Sequence, residues 1–193
     1  MKRIFIAVDV EEELKRYLEN LIGEIDSLNI PNIRLVKPKN IHITLKFLGE
    51  VEDDRVNEII EALTGIDKRF QMNVSKILNV GAFPNIKKPH VLWLGIDDGK
   101  EQFSKMADFI DNSLSIYGFA KNNRPFSPHL TLGRFKKPIS NLRSYVEKLN
   151  IPDIEFGINR ITIYESKLFQ TGPVYTEIKH FTLKRRNNGK QKK

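Results

Sequence analysis

Hydrophobic and polar residues along the chain follow two periods, one typical of strands and one typical of helices. Residues 4–10 (IFIAVDV) form a short apolar run that predicts a buried strand. Residues 11–25 then repeat leucine and isoleucine every three or four positions, which predicts a helix with one apolar face. The same reasoning predicts a strand at 41–48, a helix at 54–63 and a strand at 70–80. The first half of the chain therefore has the order βαβαβ.

The second half of the chain begins the same order again. Its predicted elements are a strand at 90–96, a helix over 103–114, a strand at 129–135, a helix over 142–149, and strands at 156–165 and 174–183. An offset of 87 residues places IFIAVDV on VLWLGID and HITL on HLTL. It also aligns Trp93 with Ile6, so we expect Trp93 in the core.

A single offset that aligns several elements indicates an internal duplication, of about residues 1–87 and 88–183. We therefore predict one domain over residues 1–183. It should consist of two similar lobes related by a pseudo-twofold axis, each a sheet backed by helices.

Two of the four histidines begin the same tetrapeptide, His-x-Thr-Leu. They are His42 in HITL and His129 in HLTL, and their separation equals the offset of the duplication. From the composition of the chain, the chance of two such matches is on the order of 10⁻⁴. His90 and His180 lack the threonine, and we interpret them as structural.

Strand geometry gives this spacing a chemical meaning. Side chains alternate across a strand, so each histidine shares a face with Thr44 or Thr131, two positions later. If the pseudo-twofold axis runs between the strands, both pairs face one cleft, where the hydroxyls can bind a phosphate. Hydrolysis of a phosphoester needs one group that takes a proton from water and another that protonates the departing oxygen. Histidine suits both roles because its ordinary pKa is about 6.5.

Two other interpretations of the histidines stay open. Each histidine can be a half-buried strand residue that is hydrogen-bonded to its threonine and has no chemical role. Each can also bind a metal, although zinc takes three or four ligands and each strand provides only one histidine. The chain has no HxH or HExxH motif and no cysteine. We therefore expect neither a metal nor another cofactor.

Composition limits the class of protein. The chain has 193 residues, of which 40% are hydrophobic and 29% charged, as in globular domains. The lack of cysteine excludes disulfides and a cysteine nucleophile and suits a reducing compartment. The apolar stretch near the N-terminus is too short for a signal peptide or a membrane span. We expect a cytoplasmic protein that does not bind membranes.

Much of the positive charge lies at the C-terminus. The formal net charge is +8, but the last ten residues, KRRNNGKQKK, hold six Lys and Arg and no acid, which leaves about +2 for the remainder. We interpret residues 184–193 as a solvated, disordered tail, and the alternative is that this tail helps to bind RNA phosphates.

The tetrads and their surroundings resemble the RNA 2′,3′-cyclic phosphodiesterases, also called 2′-5′ RNA ligases, of the two-histidine phosphoesterase superfamily. The resemblance covers about residues 1–183 and rests on RIFIAVDV, NIHITLKFLGE, VGAFPNIKKPHVLWLGI and RPFSPHLTLGR. It implies an α+β fold with two lobes of mainly antiparallel sheet and helix around a central cleft. It also implies that His42 donates a proton to the leaving oxygen and that His129 accepts one from water.

Residues beside the tetrads are candidates for binding the substrate. Lys46 lies four residues after His42 and should share its face, and Arg134 matches the arginine of the family's HxTLxR pattern. Either cation can neutralise a phosphate, or it can be a charge on the rim without contact to the substrate. Phe126 can stack on a base, or it can pack in the core or a loop.

The predicted reaction is the metal-independent hydrolysis of RNA 2′,3′-cyclic phosphate ends, including those of tRNA fragments, to 2′-phosphomonoesters. We expect the enzyme to be a monomer. Attack by an RNA 5′-hydroxyl instead of water would form a 2′-5′ linkage at the same site, and this ligation stays open. A non-catalytic RNA-binding or nucleotide-binding module is the alternative from a different class.

Overall fold

The structure is a computed structural model that describes residues 1–97 and 100–185. Its elements are β1 (Lys2–Asp9), α1 (Glu12–Ser27), β2 (Ile33–Leu35), β3 (His42–Val51), α2 (Val56–Ala62), α3 (Ile66–Arg69), β4 (Asn73–Phe83), β5 (Val91–Ile96), α4 (Lys100–Ile116), β6 (His129–Phe135), α5 (Leu142–Val146), β7 (Glu155–Ile158), β8 (Arg160–Phe169) and β9 (Gly172–Thr182). Residues 186–193 of the predicted basic tail lie outside the described residues.

The strands form two sheets. One sheet has the order β3-β1-β8-β9, and the other has the order β2-β6-β5-β4-β7. All strand pairs in the described part of the chain are antiparallel. The α+β class with two lobes of mainly antiparallel sheet is confirmed.

Each sheet combines strands from both halves of the chain. β4 belongs to the first half but lies in the second sheet, whereas β8 and β9 come from the second half and lie in the first sheet. The chain passes between the sheets four times, after β1, β2, β3 and β7. A short connection at 84–90 explains the place of β4, because consecutive strands joined in this way pair as a hairpin. The lobes are therefore not contiguous halves of the chain.

The strand predicted at 156–165 is divided between the two sheets. Phe156 and Ile158 are buried in β7, and the buried positions resume at Ile161 in β8, so the alternation changes phase at Asn159. The carboxylate of Glu11 stabilises the passage from β7 to β8. It accepts hydrogen bonds from the backbone N–H of Gly157 and the side chain of Asn159, both at 3.1 Å. The change of phase was the signal in the sequence for the division.

Other differences from the predicted elements are small. The short strand β2 was not predicted, because three residues are too few to show a period. The helix predicted over 142–149 ends at Val146. The strand predicted at 70–80 is β4, shifted by three residues.

The two long helices bury the faces that the periodicity predicts. The buried positions are Leu14, Leu18, Leu21 and Ile25 in α1 and Phe103, Met106, Ile110 and Leu114 in α4. Full burial of one such side chain stabilises the fold by about 1.5–3 kcal/mol. These faces join one continuous core with the inner faces of both sheets, and that core fixes the strands that carry the tetrads.

Candidate active site

Both histidine tetrads lie at the beginning of a strand. His42 is the first residue of β3 and pairs with Asp9 of β1, and His129 is the first residue of β6 and pairs with Gly95 of β5. β3 and β6 contact each other although they belong to different sheets. The fold therefore brings the two tetrads to the junction of the lobes from matching positions.

The two imidazoles are held in the same way. The Nδ1 atom of His42 lies 2.8 Å from the carbonyl oxygen of Asn40, and Nδ1 of His129 lies 2.8 Å from the carbonyl oxygen of Ser127. A carbonyl can only accept a hydrogen bond, so each Nδ1 carries a proton. In the neutral ring the Nε2 atom then has no proton and can accept one.

Aromatic side chains enclose His42. Its ring stacks on Phe5 with centroids 4.7 Å apart and meets Tyr175 edge-on at 5.3 Å. Burial lowers the pKa of His42 to about 4, although the Asn40 carbonyl and the Asp9 carboxylate act in the opposite direction. The neutral form of His42 is therefore favoured in the free protein.

His129 has a similar but more open environment. Its ring meets Phe83 edge-on with centroids 4.9 Å apart. Burial lowers its pKa, and the positive charge of Arg134 lowers it further. The charges of His129 and Arg134 also lower the pKa of His42. A bound phosphate would reverse this balance, because its negative charge favours the protonated form of both rings.

An extra residue follows the threonine of the first tetrad. In the pairing of β3 with β1, Thr44 lies opposite Ala7 and Lys46 opposite Ile6, so Leu45 is a β-bulge. Leu45 and Lys46 are both buried, and the alternation of faces shifts by one residue. The next side chain that lines the cavity between the lobes is Phe47.

The second tetrad has the same bulge. Thr131 lies opposite Trp93 and Gly133 opposite Leu92, so Leu132 is the extra residue of β6. The bulge turns Arg134 toward the cavity, at the position that corresponds to Phe47. Gly133 takes the buried position instead, where a Cβ atom would lie 2.8 Å from Cδ1 of Ile33. One wall of the cavity therefore has a cation where the other has an aromatic ring.

The bulge also moves Lys46 away from the cavity. Its Nζ atom donates hydrogen bonds to the carboxylate of Asp111 in α4 and, at 2.8 Å, to the carbonyl oxygen of Ala120. The residue is only 3% exposed. The expectation that Lys46 shares the face of His42 is not met, because that expectation assumed an unbroken alternation along β3.

The cavity between the lobes has a volume of about 500 Å³. It brings together His42, Thr44, Thr131 and Arg134 from the predicted set. Phe126 does not line this cavity; it is half-buried and packs against the core. Three cations that the sequence did not single out also line it, namely Arg3, Arg34 and Lys37, and no carboxylate does.

Asp9 is a further residue that the sequence analysis missed. It accepts hydrogen bonds from Nε of Arg160 at 2.6 Å, Oγ1 of Thr162 at 2.7 Å and the hydroxyl of Tyr164 at 2.6 Å. All three donors lie on β8, so they fix β8 beside β1 behind His42. The signal in the sequence was an acidic residue at the end of the buried strand IFIAVDV.

Trp93 lies on the cavity side of its strand and not in the core. It pairs with Thr131 as Ala7 pairs with Thr44, so the structural counterpart of Trp93 is Ala7 and not Ile6. Its ring centroid is 6.4 Å from that of His129. The indole lies against Gly81, where a Cβ atom would be 2.3 Å from the ring.

A histidine and a threonine from each of two matching strands, with an arginine beside them, define a two-histidine phosphoesterase. The family model described as LigT-like phosphoesterase matches the chain twice, at residues 8–93 and 94–175. The chain belongs to this family.

Named relatives agree with this assignment. An RNA 2′,3′-cyclic phosphodiesterase of Thermotoga maritima is 34% identical over 90% of this chain and 91% of its own length. One of Methanocaldococcus jannaschii is 36% identical over 93% of this chain and 99% of its own length.

Solved structures show the same fold. TT0787 of Thermus thermophilus has a TM-score of 0.78 at 23% identity and covers 95% of this chain and 99% of its own. E. coli LigT complexed with 3′-AMP has a TM-score of 0.69 at 24% identity and covers 94% of this chain and 98% of its own.

The described residues contain neither a metal-binding group nor a membrane-spanning helix. Among residues 1–97 and 100–185, no three His, Asp or Glu side chains are grouped so that they could hold a metal ion. No helix in these segments is long and apolar enough to span a membrane.

We predict that His42 makes the fold sensitive to acid. An unfolded histidine has a pKa of about 6.5, whereas folded His42 has a pKa of about 4, so between these values the unfolded chain binds the proton. The contribution of neutral His42 to the free energy of unfolding is fully present above pH 6.5 and decreases as the pH falls toward 4. The loss at pH 5 is on the order of 1–2 kcal/mol. Urea unfolding at pH 7 and pH 5 should show this loss in the wild type and in His180→Asn. It should be clearly smaller in His42→Asn, which keeps only the contribution of His129, and an equal loss in that variant would contradict the prediction.

We predict that Lys46→Met impairs stability and not substrate binding. The substitution leaves Asp111 without its cation in a largely buried site, which should lower the free energy of unfolding by about 3 kcal/mol. Lys15→Met removes an exposed pair with Glu12 and should cost less than about 1 kcal/mol. Urea unfolding measures both. If folded Lys46→Met had a raised KM for a cyclic nucleotide and an unchanged free energy of unfolding, Lys46 would be a substrate-binding residue and the prediction would be wrong.

Proposed function

We propose that this protein hydrolyses RNA 2′,3′-cyclic phosphate ends to 2′-phosphomonoesters. The observation that carries the proposal is the pair of His-x-Thr-Leu tetrads, which meet at one junction with the same hydrogen bond to each imidazole. The names of the Thermotoga and Methanocaldococcus relatives support this choice of substrate. The non-catalytic alternative is disfavoured, because both histidines have a free Nε2 atom.

In the proposed reaction, Nε2 of His129 takes a proton from water while the water oxygen forms a bond to phosphorus. The bond from phosphorus to the 3′-oxygen breaks, and Nε2 of His42 protonates that oxygen. The assignment of these roles follows the family resemblance, since the two rings have equivalent hydrogen bonds. Each general acid or base of this kind contributes about 10²–10⁴ in rate.

His42 must be protonated to act as the acid, although its pKa in the free protein is about 4. The substrate supplies a reason for proton uptake. A cyclic phosphate is an anion, and its charge at the junction would raise the pKa of the adjacent imidazole. We therefore infer that His42 acquires its proton when the substrate binds, and that the enclosed site then holds this proton for the 3′-oxygen.

Thr44, Thr131 and Arg134 are the proposed phosphate ligands. The two hydroxyls line the same cavity as His42, and Arg134 is close enough to both histidines to lower their pKa values. A guanidinium can bind two phosphate oxygens at once and balance the charge that develops in the transition state. Because these side chains provide proton transfer and charge neutralisation, we propose that the reaction is metal-independent.

The proposed enzyme is a cytoplasmic monomer. Both tetrads come from one chain, so the site needs no residue from a second copy, and the lack of cysteine suits a reducing compartment. Fragments of tRNA that end in a cyclic phosphate are suitable natural substrates to assay.

We predict that His42→Ala and His129→Ala each lower kcat/KM for a 2′,3′-cyclic nucleotide by about 10²–10⁴. The pH profile of the wild type should be bell-shaped, with limbs that belong to the coupled pair. His42→Ala should remove the basic limb and His129→Ala the acidic limb, as measured by initial rates across the pH range. His180→Ala changes an exposed histidine bound to Glu177 and is the control. Near wild-type turnover in either alanine variant would refute the proposed roles.

We predict a 2′-phosphate as the product, formed equally well in the presence of EDTA. In-line attack opposite the 3′-oxygen leaves the phosphate on the 2′-oxygen. Phosphorus NMR of the products distinguishes the two monoesters, and a 5′-hydroxyl RNA added to a parallel reaction detects 2′-5′ ligation. A 3′-phosphate product would show that the 2′-oxygen, and not the 3′-oxygen, is the leaving group. Loss of activity in EDTA that Mn²⁺ or Zn²⁺ restores would refute metal independence.

A further inference from the structure

The cavity between the lobes continues well beyond His42. His42, Thr44, Thr131 and Arg134 line one part of it, and the side chain of Arg34, the residues after β2 and the turn between β8 and β9 line the rest. The turn contacts Arg34 directly, since Nη2 of Arg34 lies 3.5 Å from the carbonyl oxygen of Gln170. The cavity therefore has room for more of a substrate than the phosphate that reacts.

The rest of the cavity carries positive charge from separate elements. Arg3 lies on β1, Arg34 on β2 and Lys37 in the loop before β3. Within residues 1–97 and 100–185, none of these three forms a salt bridge, whereas the buried cation Lys46 is paired with Asp111. A wall with three unpaired cations and no carboxylate attracts a polyanion.

The cations can be ordered along the cavity. Arg134 is nearest the reaction centre, because its charge acts on both histidines. Arg3 comes next, since its charge and that of Arg134 both lower the pKa of Tyr175, which burial raises. Arg34 lies opposite Arg134 in the pairing of β2 with β6, and its guanidinium extends to Gly172, where a Cβ atom would lie 3.2 Å from Nη2. The charges thus form a track that begins at Arg134 and reaches the turn between β8 and β9.

Apolar side chains accompany the track. Phe47 and Leu168 line the cavity and are 58% and 65% exposed. Cations that follow a backbone, together with exposed apolar side chains that bases can contact, are typical of sites for single-stranded nucleic acid. A second cavity on the other side of His42 differs, because it includes the Asp9 carboxylate and its arginine, Arg160, is already paired.

We propose that Arg3, Arg34 and Lys37, with the turn between β8 and β9, bind the nucleotides on the 5′ side of the cyclic end. The inference rests on the proposed function and narrows its substrate to single-stranded oligonucleotides, which should be preferred over cyclic mononucleotides. A cyclic phosphate is at the 3′ terminus of an RNA, so all further phosphates lie on the 5′ side and can follow the track away from the histidines.

The test compares a 2′,3′-cyclic mononucleotide with a pentanucleotide that has the same cyclic end. For the wild type, kcat/KM should be higher for the pentanucleotide, and this preference should fall about tenfold in Arg34→Gln/Lys37→Gln. The slope of log(kcat/KM) against log(salt) for the pentanucleotide should become shallower by about 1.4, since two phosphate contacts on a single strand are lost. Lys68→Gln/Lys148→Gln removes the same charge from exposed positions outside the cavity and should keep the preference.

Binding of a labelled pentanucleotide with a 2′-phosphate end, measured by fluorescence anisotropy, separates this inference from the proposed function because it needs no turnover. Weaker binding in Arg34→Gln/Lys37→Gln than in the control variant supports the track even if no cyclic substrate is hydrolysed. Equal binding by Arg34→Gln/Lys37→Gln and the control variant would refute the role of the track. Equal kcat/KM of the wild type for the mononucleotide and the pentanucleotide would also refute it, even if the mononucleotide is hydrolysed.

Discussion

The arrangement of this site depends on one extra residue in each of the two strands that carry the histidines. Leu45 in β3 and Leu132 in β6 shift the alternation of the strand after the threonine, so that the cavity receives Phe47 and Arg134. In a regular strand the same positions would be taken by Lys46 and Gly133. The bulge thus decides which cation faces the cavity and which becomes part of the core.

The duplicated geometry is symmetric at the two imidazoles and asymmetric in the walls of the cavity. Both imidazoles are held by the carbonyl oxygen two residues earlier, which leaves each Nε2 free. The walls differ, because Arg134 on one side corresponds to Phe47 on the other. In the proposed reaction, water enters on one side of the phosphorus and a ribose oxygen departs on the other, so walls that differ match a reaction whose two sides differ.

The helix faces and most strands could be predicted from hydrophobic period. The two lobes were predicted from the internal duplication, and the α+β class with antiparallel sheets from the family resemblance. It could not assign strands to sheets, since the period of β4 or β8 is the same whichever neighbour it pairs with. For the site, His42, Thr44, Thr131 and Arg134 were predicted and line one cavity, whereas Lys46 does not. A bulge changes no residue type and leaves no pattern of its own, so Lys46 was placed on the wrong face. Arg3 and Arg34 were missed because they are brought to the site only by the pairing of distant strands.

The exchange of strands between the two halves has a mechanical consequence. A protein with two lobes joined by a single linker can open widely about that linker, but here four passages of the chain join the sheets on either side of the cavity. Wide hinge opening would strain all four connections together. The distance between the walls is therefore largely set before a ligand arrives, which lowers the entropy lost on binding.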